Sequence, residues 1–117
     1  EQGRVRLKSR LVALGNQELG QYSKADTASP TTSPGMFMSM VLHALAHDLP
    51  VFTCDIGQAF LRAKVPKGEN IYVRIKDRVY RLRKMLYGLS RSPLAWHNFF
   101  TRVLEDFGMR TSPWEPC

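Results

Sequence analysis

The sequence predicts an α+β fold of antiparallel strands and two main helices. Three observations carry that prediction. Apolar and polar residues alternate with period two at 4–13, 71–75 and 79–83, the spacing of strands with one face buried. Two Ser-Pro pairs, Ser33-Pro34 and Ser92-Pro93, each open a stretch with apolar residues at helical spacing. Gly-, Asn- and Pro-containing breaks separate these runs and suit turns.

In residues 4–13, Val5, Leu7, Leu11 and Ala13 fall on one face and Arg4, Arg6, Lys8 and Arg10 on the other. This predicts a half-buried strand with a basic ladder on its open face. The same charges would equally keep a solvated edge strand from aggregating. Gly15-Asn16 ends the run. Residues 20–35 are rich in Ser, Thr and Pro and read as an extended loop. Ser33 then serves as N-cap and Pro34 as first helical residue, opening a helix to about His47. Its apolar stripe is Phe37, Met40, Val41, Ala44 and Leu45, and Asp48-Leu49-Pro50 stops it. Val51–Asp55 reads as a short buried strand. The runs at 71–75 and 79–83 flank Lys76-Asp77-Arg78 and read as a tight hairpin. Its open face would carry Arg74, Lys76, Arg81 and Arg83, or part of that set. Tyr87-Gly88-Leu89 is a turn. Ser92-Pro93 starts the second main helix, with Trp96, Phe99, Phe100, Val103, Leu104 and Phe107 at helical spacing and Gly108 as its stop.

The chain has 117 residues, 44% of them hydrophobic, enough for one modest core or a piece of a larger domain. No apolar run approaches the roughly 18 residues of a membrane span. The N-terminus has no apolar secretory segment and no initiator Met, as expected of a sequence that starts inside a longer chain. Net charge is +7, which favours a polyanionic partner, nucleic acid before acidic lipid. The charge is unevenly placed. Residues 25–61 hold no Lys or Arg, only Asp26, Asp48 and Asp55, whereas residues 62–91 hold ten Lys/Arg against two acids. Cys54 and Cys117 form no CxxC pair, so a reduced, intracellular, non-secreted chain is expected.

Asp55 is the sharpest single feature, closing an apolar run in FTCDIGQAFL at 52–61. A carboxylate at a strand's end, followed by a tight turn, can ligate Mg²⁺ while the turn's N–H groups face phosphates. It can also simply cap the turn. Two metal ions need more than one carboxylate, and the nearest other acids, Asp48 and Glu69, have no clear geometric claim. His43 and His47 stand four apart, but HALAH lacks the Glu of HExxH. His43 reads as a partly buried polar residue and His47 as a cation at a helix C-terminus. The aromatic stripe at 96–107 could stack bases, although its clean helical spacing reads as core.

The order of motifs resembles a family. Residues 8–17, KSRLVALGNQ, are similar to the opening KARLVARGNQ of the reverse transcriptase domain of Ty1/copia-type retrotransposons. DTASP at 26–30 is similar to ETFAPV, DIGQAFL at 55–61 to DVKTAFL and ENIYV at 69–73 to EEIYM. YRLRKMLYGL at 80–89 is similar to CKLKKSLYGL, SPLAW at 92–96 to APRAW and SPWEPC at 112–117 to SESDPC. The resemblance covers nearly the whole chain and roughly the first half of the family domain. It implies a fragment of a right-hand polymerase, with residues 1–24 as a fingers strand or hairpin and 25–117 as remaining fingers and partial palm.

The implied reaction is RNA-directed DNA synthesis, in which a primer 3′-hydroxyl attacks a dNTP with two Mg²⁺ (or Mn²⁺) ions. The implied partners are an RNA or DNA template with primer, dNTP and the rest of the retrotransposon polyprotein, with no membrane. By the resemblance, Asp55 is the first catalytic carboxylate and a metal ligand together with the Ile56 carbonyl. Gln58 and Ala59 bring backbone N–H groups to the triphosphate, and Phe60 screens the sugar 2′ position. Lys8 and Arg10 contact the triphosphate, and Tyr87 and Gly88 line the nucleotide. The family's aromatic-x-Asp-Asp hairpin is expected beyond Cys117, so two of three catalytic carboxylates are absent and the fragment alone is expected to be inactive. Gly57, Ser90-Arg91 and a short loop between the Ile71 and Val79 strands depart from the family pattern, as in a divergent copy. Two other readings stand beside this one: a non-catalytic basic nucleic-acid-binding module, and a degenerate element relic without a stable fold.

Overall fold

A computed structural model describes residues 7–18, 20 and 22–114. Four helices and one antiparallel hairpin make up its regular structure: α1 (Lys24–Thr27), α2 (Pro34–Ala46), α3 (Ala59–Arg62), β1 (Tyr72–Ile75), β2 (Arg78–Arg81) and α4 (Ser92–Asp106), with a 3₁₀ turn at Gly15–Gln17. The α+β class and the antiparallel pairing match the sequence expectation.

The hairpin forms in the region the alternation predicts, with Tyr72 opposite Arg81, Val73 opposite Tyr80, Arg74 opposite Val79 and Ile75 opposite Arg78; Arg78, expected in the turn, is instead the first residue of β2. Lys76 adopts a left-handed conformation, φ 54°, which lets two residues reverse the chain. The ladder continues as Leu82 N–H donates to Ile71 O at 2.8 Å. It resumes at an isolated antiparallel bridge between Lys64 and Lys84.

The buried apolar core among the described residues is small: Ala63, Met85 and Leu89, with Ala13, Val65, Ile71, Leu82, Leu86 and Ala95 packed against it. Helix α4 packs on α3 and α1. Its start differs from the expected Ser cap. Arg91 is the N-cap, and Ser92 is buried as first helical residue. The Ser92 hydroxyl donates to Leu86 O at 2.6 Å. A buried polar group needs a partner, and the hydroxyl finds one in the Leu86 carbonyl, which also accepts Leu89 N–H at 3.4 Å. At the other main helix, Ser33 Oγ accepts Met36 N–H at 3.2 Å and Pro34 is the first helical residue, as the sequence indicates.

Other expectations are corrected. Residues 7–14 form no strand. Among the described residues no strand pairs with them, so the alternating pattern has no ladder to join, and Lys8 and Arg10 do not stand on a sheet face. The part of that expectation on residues 4–6 lies outside the described residues. Val51–Asp55 is likewise unpaired rather than a buried strand, with Val51 65% and Phe52 86% exposed. The loop expected at 20–35 contains α1. There the Asp26 carboxylate accepts both the Ser23 N–H and its hydroxyl, at 2.9 and 2.7 Å. The apolar stripe of α2 is only partly covered: Val41 and Ala44 are half-buried, whereas Phe37, Met40 and Leu45 are exposed. His43 is exposed too, its ring tilted 4.4 Å from that of His47.

Candidate functional site

Two segments far apart in sequence cross backbone to backbone at Gly88. Ala13 N–H donates to Tyr87 O at 2.7 Å. A Cβ on Gly88 would lie 2.0 Å from Ala13 O, and one on Gly15 would lie 2.1 Å from Gly88 O. Only glycines permit this approach, and Gly88 also has φ +88°, open chiefly to glycine. Beside the crossing, Ser90 N–H donates to Glu18 Oε2 at 3.0 Å. The Glu69 carboxylate pairs with Arg91, whose guanidinium also lies 5.5 Å over the Tyr22 ring.

The crossing sets a three-residue cluster. The Arg10 guanidinium carbon lies 5.0 Å over the Tyr87 ring, and Phe60 lies 5.0 Å from the same ring at 56°. Arg10 comes from the N-terminal segment, Phe60 from α3 and Tyr87 from the turn before α4. A guanidinium over an aromatic face is worth about 0.5–1 kcal/mol at an exposed site. It also holds the planar fork in one orientation, as bidentate phosphate recognition requires.

Asp55 is exposed at the end of the unpaired stretch, with Ile56 half-buried beside it. The chain then turns at Gly57-Gln58. The left-handed residue is Gln58 (φ 57°, ψ 40°), not Gly57, and Ala59 is the first residue of α3. The turn is tied from below by Arg62 Nε, which donates to Gly57 O at 3.2 Å. On the hairpin, the register puts Arg74 and Arg81 on one face with Tyr72 and Val79, places Lys76 at the tip and leaves Arg83 beyond β2. All four cations are exposed. Lys8 is exposed and outside the Arg10–Tyr87–Phe60 cluster.

A profile of the family described as reverse transcriptase (RNA-dependent DNA polymerase) matches residues 1–116. The chain belongs to the reverse transcriptase family. It is 32% identical over 116 residues to a retrovirus-related Pol polyprotein from transposon RE1 of Arabidopsis thaliana, covering 92% of this chain and 8% of that protein. It is 32% identical over 101 residues to the Pol polyprotein from transposon RE2 of the same plant, covering 79% and 7%. The chain therefore spans less than a tenth of the length of these curated relatives. No solved structure matches it. These relatives agree with the resemblance read from the motif order.

Reverse transcriptases as a family use divalent metal ions, and the residues here meet only part of that need. Among the described residues no three His, Cys, Asp or Glu side chains group where they could hold a metal. Glu69 is engaged by Arg91, and Asp48 serves the end of α2 with φ 52°. Asp55 and the Ile56 carbonyl would supply one carboxylate and one carbonyl, which does not make a site for two divalent cations.

Sequence reasoning missed Gly15, Glu18 and Ser90 as the frame of this crossing. Gly15 signalled only a turn, because a close approach to a residue far along the chain leaves no local mark. Among the described residues no helix is long and apolar enough to cross a membrane.

Proposed function

We propose that this chain is the fingers (1–24) and the remaining fingers with partial palm (25–117) of an RNA-directed DNA polymerase encoded by a retrotransposon polyprotein. The observation that carries the reading is the Arg10–Tyr87–Phe60 cluster, built from three separate segments of a chain that the reverse transcriptase profile spans. Arg10, with Lys8, holds the triphosphate of a dNTP. The amides of Gln58 and Ala59 face its phosphates, since the first N–H groups of a helix have no partner within it. Phe60 packs against Tyr87 and presents a rigid edge to the sugar, and Tyr87-Gly88 lines the base. Arg74, Lys76, Arg81 and Arg83 bind the template–primer backbone. The reaction is transfer of a nucleotidyl group to the primer 3′-hydroxyl with pyrophosphate leaving, and these residues bind and orient its reactants. Asp55 and the Ile56 carbonyl give the chain's share of a two-ion Mg²⁺ or Mn²⁺ site. The 117 residues alone, with that one carboxylate, do not extend a primer.

Primer extension by the parent polyprotein tests this. Asp55→Asn should abolish extension and leave template–primer binding intact. Phe60→Ala should raise ribonucleotide use relative to deoxyribonucleotide by roughly 10-fold or more, the scale on which a pocket's shape discriminates. Extension unchanged by Asp55→Asn would remove Asp55 as a catalytic group. A second reading, a non-catalytic nucleic-acid-binding module, is favoured by the solitary Asp55 and the basic blocks. It predicts binding without extension in every form of the protein. A degenerate relic would show neither.

A further inference from the structure

We propose that Lys64 and Lys84, with Arg62 beside them, grip the phosphodiester backbone of a nucleic-acid strand. Lys64 and Lys84 are direct partners in an antiparallel bridge. The bonds flanking the bridge are Val65 N–H to Arg83 O at 3.2 Å and Met85 N–H to Ala63 O at 2.9 Å. That pattern makes the two lysines a non-hydrogen-bonded pair, the closer kind, with Cα atoms about 4.5 Å apart. Like charges directly opposite destabilise a strand pair. Nothing relieves them here: among the described residues neither lysine has an ion pair, and both are exposed. The pairing is nonetheless locked. Ala63 and Met85, each adjacent in sequence to one lysine, are both 1% exposed in the core, and alternation sends the lysines to the opposite face.

A fixed pair of cations that repel each other is a feature an anion would relieve. More positive charge lies on the Lys84 side of the pair. Lys84, Arg62 and Arg83 edge an open cleft of about 610 Å³ whose wall is otherwise mostly apolar, with Leu61, Leu82 and Leu86, and holds no Asp or Glu. Arg62, in the helix that follows the turn after Asp55, is exposed; it spends Nε on Gly57 O and makes no other hydrogen bond among the described residues. A row of cations without acids, beginning at that turn, suits a chain of phosphates rather than a single one. The choice of a nucleic-acid strand rests on the polymerase reading, but the lysines were not among the residues assigned to it.

The test is equilibrium binding of a fluorescein-labelled single-stranded oligodeoxynucleotide to the 117-residue protein and to its Lys64→Gln/Lys84→Gln variant, across about 50–200 mM salt. The expected result is a plot of log affinity against log salt whose slope is shallower by about 1.4, the value for two lost phosphate contacts on a single strand. The variant should also melt at a higher temperature, because the opposed charges are gone. A Lys24→Gln/Arg110→Gln variant removes equal charge elsewhere and should leave the slope unchanged. An unchanged slope in the first variant overturns the proposal, and so does an equal loss in the second. A loss seen only with tripolyphosphate, or only with phosphatidylserine vesicles, overturns it in favour of a free phosphate or a lipid surface. The polymerase reading fails separately: primer extension decides it, whereas this slope does not depend on turnover.

Discussion

At Gly88 a single methyl group decides whether two segments can meet. Its Cβ would fall 2.0 Å from Ala13 O and 2.7 Å from Val12 Cγ1, at φ +88°. Gly88→Ala should therefore destabilise the fold by about 1–3 kcal/mol from backbone strain alone, with the clash added, as read by urea unfolding. Gly57→Ala has open space around it and should change stability by less than about 0.5 kcal/mol. Asp26 gives the α1 turn a pH dependence. The hydroxyl bond from Ser23, and after it the Ser23 amide bond, hold its carboxyl below the ordinary value. A depressed carboxyl stabilises the folded form above its unfolded pKa, and that stabilisation is lost as pH falls through the folded value. The α1 turn should thus fray below about pH 4, seen in the amide resonances of residues 23–27, and Asp26→Asn should remove the dependence.

Among elements, both long helices end in the same motif with different residues. At α4, Gly108 (φ 86°) donates to Glu105 O at 2.8 Å and Met109 N–H to Leu104 O at 3.1 Å. At α2, Leu49 N–H donates to Ala44 O at 2.8 Å and Asp48 N–H to Leu45 O at 3.4 Å, with Asp48 itself left-handed. A residue with a Cβ is strained there and glycine is not. Asp48→Gly should stabilise α2 by about 0.5–1 kcal/mol, measured as helicity against temperature. These ends were legible in the sequence because capping involves residues within one turn of each other. The start of α4 was not, since Ser92 answers to the Leu86 carbonyl and not to its own helix.

For the whole molecule, the scarcity of core is the governing fact. The Cα radius of gyration is 18.3 Å, against about 13 Å for a compact chain of 100 residues. Phe37, Met40, Leu45, Val51 and Phe52 present apolar surface to solvent. The isolated chain should bind a hydrophobic dye such as ANS and unfold over a broad range, and small-angle scattering should return a radius nearer 18 Å than 13 Å. A dye-silent chain with a sharp transition would mean that the exposed helix face is covered in solution. The misreading of Val51–Asp55 belongs to this scale. Its residues have strand character, yet a strand exists only when another supplies the ladder.

Patterns in the amino-acid sequence were enough for the α+β class, the existence of the hairpin, the start of α2, the stops of both long helices and, through the ordered motifs, the reverse transcriptase family. Each of these depends on residues close together or on a pattern that survives without geometry. Tertiary structure alone decided that Gly15 and Gly88 cross, that Arg10, Phe60 and Tyr87 form one cluster while Lys8 stands outside it, and that Lys64 faces Lys84. Those outcomes join residues far apart along the chain, and the burial of Met85 and Ala63 fixes the register between them.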